Sequence, residues 1–409
     1  MPTKAITFNI QDGGLGRSIA GKDFYSGICF PFVDGDLPSG FAVGDRFKKI
    51  FNLAEAEALG ITSDSATTSI KITHYHISEY FRMLEKTGNT GILFLNLFDE
   101  NAGVYDGGQQ VEDIQNFADG ELRQVAVYYD IAFASSLVTA VNASITTLLN
   151  ADRPLIAVLG ADISGIADLS TLADLRALDK KWVSVDISQD GSGVGKALAV
   201  SAGQSITSIG TTLGTIALSN VHENIGWVSK FDVADSVEFQ EPAFANGDLV
   251  KDTADALINT LNTQGYLVMI KRQEISGTFF LDSPQTTKGD SDFAYIENAR
   301  TMFKAVRLSR SKLLPFINAP LYVDATSGKL SEETIFELES AVLSALEQMA
   351  VAGELSVDQA TGKLPKGSVV IDPDQDVLAT SQVKITVKLV PVGVAREIIV
   401  NIGFVPKIG

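Results

Sequence analysis

Two histidines, His74 and His76, lie two positions apart with Glu79 close behind, and these residue types can ligate a metal ion. On a β-strand the two imidazoles would share one face. The surrounding sequence is rich in aromatic and β-branched residues, which favours structural histidines at a junction between a strand and a helix. The third histidine, His222, is far away in sequence. A structural role is therefore the better interpretation than a metal site.

A glycine-rich segment at residues 190–197 (DGSGVGKA) follows a predicted strand, as a phosphate-binding loop does. Such a loop has glycine where Asp190 stands, so that backbone amides can surround the phosphates. It also has serine or threonine, which holds magnesium, where Ala197 stands. Because a carboxylate at the mouth of the loop would repel a nucleotide, the segment favours an ordinary glycine-rich turn.

The acidic segment with Asp372, Asp374 and Asp376 has the spacing that opens a calcium-binding EF-hand loop. Val377 replaces the turn glycine, and Val383 replaces the bidentate glutamate. The pattern predicts an acidic surface loop, with weak adventitious cation binding as the alternative.

The sequence contains no G-x-S-x-G nucleophile motif, and its single cysteine, Cys29, lies in an apolar stretch typical of a buried, inert thiol. One cysteine also excludes an internal disulfide. The acidic pairs Asp34/Asp36 and Asp99/Glu100 lie in glycine-rich loops, where solvated turns explain them, although a catalytic carboxylate pair stays open. We therefore predict a protein that is not an enzyme and that uses no cofactor.

Composition limits the remaining functions. A length of 409 residues allows two or three domains, and a formal net charge of −18 favours solubility. Nucleic-acid binding is disfavoured, because phosphates are neutralised by lysine and arginine. The sequence has no apolar run of the ~20 residues that cross a bilayer, and it begins without a signal-peptide pattern. We expect a soluble protein that folds in a cytoplasm and does not insert into membranes.

Strands and helices alternate through the middle of the chain. Hydrophobic patterns predict strands at residues 91–98, 124–129, 154–159, 182–187 and 266–271, and helices at residues 111–117, 134–149, 169–178 and 249–261. Repeated β-α-β order predicts an α/β domain, assigned to residues 23–235, with a mostly parallel sheet and helices on both faces.

The last third of the chain is predicted to be a separate α+β domain, residues 236–395. Residues 294–314 have the pattern of one helix. A second helix is predicted to begin after Ser331, a suitable N-cap, and to end near Gly353.

Alternating strands stand at both ends of the chain. Near the N-terminus Ile6, Phe8 and Ile10 alternate with polar residues, and a glycine-rich tether follows at residues 12–16. The C-terminal pattern predicts two strands, with Val383, Ile385, Val387 and Leu389 on one face of the first and Ile398, Val400, Ile402 and Phe404 on one face of the second. These strands either pair within their own subunit or act as arms that add a strand to a neighbouring copy.

Several segments resemble contractile tail sheath proteins of phages and related injection systems. The resemblance is carried by residues 76–98, 209–228, 294–320 and 331–355, and most of all by residues 383–405 (VKITVKLVPVGVAREIIVNIGFV). It spans much of the chain and depends on no short invariant motif.

This resemblance implies a structural subunit with a C-terminal sheath-type domain. In that family six subunits form a ring, and the rings stack helically around an inner tube and contract to drive it through a target envelope. The implied arms are residues 1–22, including the tether, and residues 396–409, with residues 383–389 as the receiving strand. Implied partners are further copies, the inner tube protein, and baseplate and tail terminator proteins, in a virion tail or contractile particle assembled in the bacterial cytoplasm.

The helix at residues 294–314 has a basic face, to which the resemblance gives a candidate role in binding the inner tube. Arg300, Lys304 and Arg307 lie at helical spacing. In an acidic protein, such a face is a candidate contact for an acidic inner tube. A solvated helix face and local pairing with carboxylates of this chain are the alternatives.

Two other functions stay open on the sequence alone. One is an enzyme or ligand-binding protein that uses the α/β domain, with a nucleotide-like ligand near residues 186–196. The other is a different self-assembling tube or shell protein.

Overall fold

The computed structural model describes residues 22–89, 91–101 and 105–400. The strands are β1 (Ser26–Phe32), β2 (Phe47–Ile50), β3 (Leu93–Asp99), β4 (Gln124–Ala132), β5 (Ile156–Asp162), β6 (Val183–Asp186), β7 (Ser188–Asp190), β8 (Pro242–Phe244), β9 (Tyr266–Leu267), β10 (Met269–Arg272), β11 (Ile275–Phe280), β12 (Val369–Ile371) and β13 (Ile385–Val387). The α-helices are α1 (Leu53–Ala58), α2 (Thr68–Glu85), α3 (Gly108–Phe117), α4 (Ser135–Asn150), α5 (Val194–Ala202), α6 (Ile209–Leu218), α7 (Asp255–Thr263), α8 (Ile296–Leu313), α9 (Glu332–Val351) and α10 (Val377–Thr380).

A seven-stranded sheet forms the centre of the protein, in the order β2-β3-β1-β4-β5-β6-β9. β2 runs antiparallel to β3, and the other neighbours are parallel. Every residue of β1 is buried. Because successive side chains of a strand point to opposite faces, both faces must be covered, as a parallel sheet requires. This confirms the predicted α/β architecture with a mostly parallel sheet.

The C-terminal region adds helices and small antiparallel sheets. α8 packs on α9, and β12 pairs with β13 beside α9. Separate pairs are formed by β7 with β8 and by β10 with β11. The mixed α/β and α+β class that the sequence predicts is therefore confirmed.

The main hydrophobic core extends beyond the boundary predicted at residues 235/236. β9 joins the central sheet next to β6, and the main cluster of buried residues continues to Phe303. Two smaller clusters begin at Ala305 and Leu330. The change from one core to the next therefore falls within α8, and the predicted boundary lies inside the first core.

The segment around His74 and His76 is the middle of helix α2, so the predicted junction between a strand and a helix is wrong. Isoleucine, threonine and tyrosine favour strands only weakly, and packing decides the outcome. The glycine- and threonine-rich α6 is buried along nearly its whole length and packs against α2.

Helix α9 begins and ends where the sequence predicts. The backbone amide of Thr334 donates to the Ser331 side chain at 3.2 Å, which is the N-cap bond. Gly353 follows the helix with a φ of +74°, the left-handed conformation that glycine adopts without strain.

One predicted helix is replaced by two shorter turns. Residues 169–178 form the 3₁₀ turns Leu169–Thr171 and Leu175–Leu178. The carboxylates of Asp168 and Asp174 accept backbone amides at the start of each turn, and these local bonds compete with a continuous helix.

Candidate assembly site at the C-terminal strands

The predicted receiving strand contains β13, which lies at the edge of a two-stranded sheet. It pairs with β12 through Ile385↔Ile371 and Val387↔Val369. Val383, Ile385 and Leu389 pack partly buried against the two smaller cores. Among the described residues, no strand covers the second edge of β13. An uncovered edge presents backbone amides and carbonyls to which another strand can bond.

The segment that follows this sheet is exposed and apolar. Ile398, Ile399 and Val400 are 79%, 75% and 75% exposed, and residues 392–400 form no strand. Exposed apolar residues in a row are the side chains that an extended segment buries when it docks on another surface. The remaining predicted arm residues lie outside the described residues: Ile6, Phe8, Ile10, Ile402 and Phe404, with the tether at residues 12–16.

Arg300 lies inside the subunit. It is 4% exposed, and its guanidinium donates to the Ser219 side chain at 2.7 Å and to the Ser219 carbonyl at 3.2 Å. Burial lowers the pKa of Arg300 to about 10. A side chain in this position stabilises the contact between α8 and the segment after α6.

Lys304 and Arg307 hold carboxylates that are distant in sequence. The Lys304 ammonium lies 2.6 Å from a carboxylate oxygen of Asp23 and 2.6 Å from one of Glu354, and Arg307 also binds Asp23. Lys304 is 6% exposed. Two residues of the basic face of α8, Lys304 and Arg307, are thus used for local pairing with carboxylates, the alternative to a tube contact. Because their charges are paired inside the subunit, the structure favours this alternative for Lys304 and Arg307, and an inner-tube contact stays a prediction.

In the glycine-rich turn, the backbone amides of the loop donate hydrogen bonds to the carboxylate of Asp190. Asp190 Oδ1 accepts backbone amides of Ser192 at 3.0 Å, Gly193 at 3.0 Å and Phe239 at 2.9 Å. These donors would have to face a phosphate in a nucleotide site. The turn is therefore a closed structural element that joins β7 to α5.

The acidic segment near residue 372 is also used locally. Asp372 accepts the backbone amide of Asp374, Asp376 accepts the amide of Ala379 at the start of α10, and Asp374 pairs with Lys329. In the parts of the chain that the structure describes, no group of three or more His, Cys, Asp or Glu residues is arranged to hold a metal ion.

The acids at the carboxyl ends of β1 and β3 share one arginine. Arg46 binds Asp34 and lies 4.0 Å from Asp99. Partial burial and the neighbouring carboxylates of Asp130, Asp99 and Asp36 raise the pKa of Glu100. The arginine offsets only part of this negative charge, so these residues form an acidic rim of the sheet.

A cavity lies at β1 and β4, and its lining includes Phe30 and Tyr128. β3 and β4 pair with opposite edges of β1. Open α/β sheets bind ligands where the strand order reverses in this way. Its polar lining is bonded internally. Gln204 donates to the Tyr128 hydroxyl at 2.8 Å, and Asp130 accepts the Tyr105 hydroxyl at 2.7 Å. A second, separate cavity lies at the ligand position predicted near residues 186–196, and its lining includes Gly191 and Lys196.

His76 is buried in an aromatic cage below this cavity. Its ring lies 5.7 Å from the Phe30 centroid, and 5.2 Å from those of Tyr75 and Tyr128. Burial lowers its pKa from the ordinary 6.5 to about 3, so the ring is neutral. His74 instead pairs with Glu57 on the outer side of α2. The two histidines therefore do not form one site.

Replacing His76 by leucine should weaken the dependence of stability on pH. Below pH 6.5 the unfolded chain binds a proton at His76 and the native chain does not, so acid destabilises the native state. Between about pH 7.5 and 5.5, the unfolding free energy of the unmodified chain should fall by about 1 kcal/mol more than that of H76L. Urea unfolding at both pH values measures this difference, and an equal fall in the two proteins would contradict it.

Cys29 is fully buried in β1, and burial raises the pKa of its thiol far above the ordinary value. A protonated thiol without access to solvent is a packing residue. This agrees with the inert cysteine that the apolar stretch predicts.

The chain was compared with protein-family models, curated proteins and solved structures. Residues 292–409 match the family model of the DUF2586 C-terminal domain. No curated protein matches the chain in sequence. Among the described residues, no helix is both long and apolar enough to cross a membrane.

Solved structures match along nearly the whole chain. The helical sheath of the anti-feeding prophage in its contracted state is similar over 98% of this chain and 99% of that one, with a TM-score of 0.62 and 15% identity. A chain of the anti-feeding prophage baseplate gives 0.58 at 15% identity over 98% and 99%. A sheath tail protein of Desulfitobacterium hafniense gives 0.57 at 10% identity over 95% and 96%. The chain therefore has the fold of contractile tail sheath proteins.

Proposed function

We propose that this protein is a structural subunit of a contractile tail sheath. The observation that carries the proposal is similarity to a contracted helical sheath that covers both chains almost completely, from the α/β domain to the C-terminal strands. A match of this extent involves the parts that would contact other subunits as well as the central sheet.

The exposed C-terminal segment gives the proposal a mechanism of assembly. The segment with Ile398 and Val400 would leave its own subunit and pair with the uncovered edge of β13 in a neighbour. Backbone hydrogen bonds would then join the copies, while the apolar side chains are buried at the contact. Residues 1–22 are proposed as a second arm on the same principle.

Contraction would follow from many such joints. We propose hexameric rings that stack helically around an inner tube protein, bounded by baseplate and terminator proteins, in a phage-tail-like particle assembled in the bacterial cytoplasm. Each subunit would move largely as a rigid body, and small gains in contact between subunits would add along the stack. Arms that stay paired would keep the rings connected during this movement.

A structural role also suits the way polar residues are used. The amides of the glycine-rich turn are bonded to Asp190, and the two histidines of α2 face different surroundings. An enzyme would need donors or titratable groups that are free to meet a substrate. The proposed role requires neither a cofactor nor nucleic acid nor insertion into a membrane.

Electron microscopy of the purified protein tests the proposal, and truncation sharpens it. The intact chain should form hollow rings or striated tubes. Deleting residues 398–409 should leave a folded subunit that no longer polymerises, because the donated strand is lost while Arg396 is kept. Deleting residues 1–11 should have the same effect if the N-terminal arm also links subunits.

Circular dichroism and light scattering distinguish the possible outcomes of the truncation. A truncated chain that unfolds would show that the strand belongs to its own subunit, which contradicts the arm. An intact chain that stays a small soluble species in all conditions would contradict the sheath itself.

A further inference from the structure

Arg396 binds the rest of the subunit just before the exposed C-terminal segment begins. Its Nε donates to Asp282 Oδ2 at 2.9 Å, and its Nη2 donates to Glu297 Oε1. The guanidinium carbon also lies 3.4 Å from the centroid of the Tyr295 ring. A guanidinium that bonds to two carboxylates and stacks on an aromatic ring is held in one orientation.

The site that receives Arg396 is built from buried, mutually bonded groups. Glu297, in the first turn of α8, is 2% exposed and accepts the Ser283 hydroxyl at 2.5 Å. The Asn224 amide donates to Asp282 at 2.6 Å and to Glu297 at 3.3 Å. Burial raises the pKa of Glu297, and the positive charge of Arg396 opposes that rise. A buried carboxylate is therefore fixed in place, where the C-terminal segment supplies its cation.

The contrast with the next residues is sharp. Ile398, only two positions further, is 79% exposed, and residues 392–400 form no strand with the rest of the described chain. Arg396 thus fixes the start of a segment whose apolar residues, 398–400, are not covered by any of the described residues. The bonds of Arg396 to Asp282 and Glu297 therefore do not serve to bury the apolar residues that follow it.

We propose that Arg396 is a positioning residue that sets the direction in which the C-terminal strand leaves the subunit. An unanchored segment would lose more conformational freedom when it docks on a neighbour, and this loss would weaken assembly. Binding of Arg396 to Asp282 and Glu297 removes part of that loss in advance. The inference rests on the proposed function, because the direction of the strand matters only if the strand pairs with another copy.

The test uses the full chain with Arg396→Ala, Arg396→Lys and a matched control, Arg310→Ala. Arg310 lies on α8 and, like Arg396, forms an ion pair, with Asp152 at 2.8 Å, but both side chains are exposed and the pair does not involve the C-terminal segment. Lysine keeps the charge of Arg396 without the fork that bonds to two carboxylates at once. Asp282→Asn provides a second way to weaken the anchor if Arg396→Ala does not fold.

The first measurement is the distance between spin labels in the unassembled subunit. Cysteines at Val306, which is exposed on α8, and Val400 carry the labels, while the native Cys29 is fully buried and stays unlabelled. The distance distribution should be narrow with Arg396 in place, broad in R396A, intermediate in R396K and unchanged in R310A. Equal distributions in all four chains would overturn the anchor.

The second measurement is the protein concentration at which half of the chain sediments as polymer. R396A should raise this concentration about tenfold, equivalent to about 1.4 kcal/mol per docked strand. R396K should raise it less and R310A should not change it. A broadened distance distribution with an unchanged concentration would overturn the positioning role.

The two measurements separate failure of this inference from failure of the proposed function. An unmodified chain that does not polymerise would overturn the sheath and, with it, the positioning role. The label distances would still show whether Arg396 anchors the segment within the subunit.

Discussion

Replacing Lys304 by methionine should lower the free energy of unfolding by about 3–5 kcal/mol, because it leaves buried carboxylates without their cation. Lys304 lies between Asp23 and Glu354, and the side chains of Lys304 and Glu354 are almost completely buried. Arg307 would still bind Asp23, so the main cost falls on Glu354. Urea unfolding of the disassembled subunit, followed by tryptophan fluorescence, measures the loss, since Trp182 packs against Phe303 beside Lys304.

An exposed ion pair provides the matched control. Lys329 and Asp374 form a pair in which the side chains are 51% and 61% exposed, and Lys329→Met should cost no more than about 1 kcal/mol. The double variant K304M/E354L should recover most of the loss, because neither charge is then left buried alone. If K304M were as mild as K329M, the buried cluster would contribute nothing to stability.

The same cluster shows why the direction of a basic helix face is hard to predict. Spacing alone shows that Arg300, Lys304 and Arg307 share one side of α8. What covers that side depends on Asp23, 284 positions before Arg307, and on Glu354, 50 positions after Lys304. A pattern within one helix contains no information about partners at such distances in sequence. The sequence alone therefore could not distinguish a contact with the inner tube from pairing inside the subunit.

Helix α8 binds residues from both ends of the described chain. Its first turn holds Arg396 through Glu297, and two turns later Lys304 and Arg307 hold Asp23. These contacts lie roughly 10–15 Å apart along the helix axis. Asp23 directly follows the predicted N-terminal arm and Arg396 is the first residue of the predicted C-terminal arm, so α8 connects the starting points of both arms.

The parallel sheet was predictable because its strands are apolar on both faces. Continuous runs such as residues 91–98 cannot lie on a half-exposed surface, so their burial follows from composition and order. The N-cap of α9 was predictable for a local reason, since Ser331 and Thr334 are three positions apart. Features fixed by neighbouring residues were therefore available from the sequence.

Helices α2 and α6 were not predictable in this way. α2 is rich in isoleucine, threonine and tyrosine, and α6 (IGTTLGTIAL) is rich in glycine and threonine, so neither has strong helix propensity. Each is stabilised by packing on the other, a contact between segments more than a hundred positions apart. Local preference was overridden by tertiary structure.

The closed glycine-rich turn also depends on contacts that are distant in sequence. Its sequence placed a carboxylate where a phosphate-binding loop has glycine, which already disfavoured a nucleotide. The structure adds the reason, since Asp190 bonds to amides of its own loop and to the distant amide of Phe239. The last of these bonds fixes the turn against a segment that no local pattern identifies.

Substituting Gly210 by alanine should lower the free energy of unfolding by at least about 2 kcal/mol, because it places a methyl group inside a contact between two backbones. A Cβ at Gly210 would lie 2.7 Å from the Cα of His76 in α2, and against the carbonyl of the same residue. Four residues later, a Cβ at Gly214 would lie 2.7 Å from the Tyr80 carbonyl oxygen. The urea midpoint of the G210A subunit measures the effect.

The sign of this effect separates steric contact from helix propensity. Alanine favours a helix over glycine by about 1 kcal/mol, so in an uncrowded helix the substitution would stabilise. Gly35→Ala, in the 3₁₀ turn Asp34–Asp36, is the control for an added methyl group without steric contact, since a Cβ there would have no neighbour within 4 Å. Backbone atoms of α2 cannot rotate away as a flexible side chain would, so α2 and α6 must separate to admit the methyl group at Gly210. A G210A midpoint equal to that of G35A would show that the helices tolerate separation, and that glycine is not what allows α6 to pack on α2.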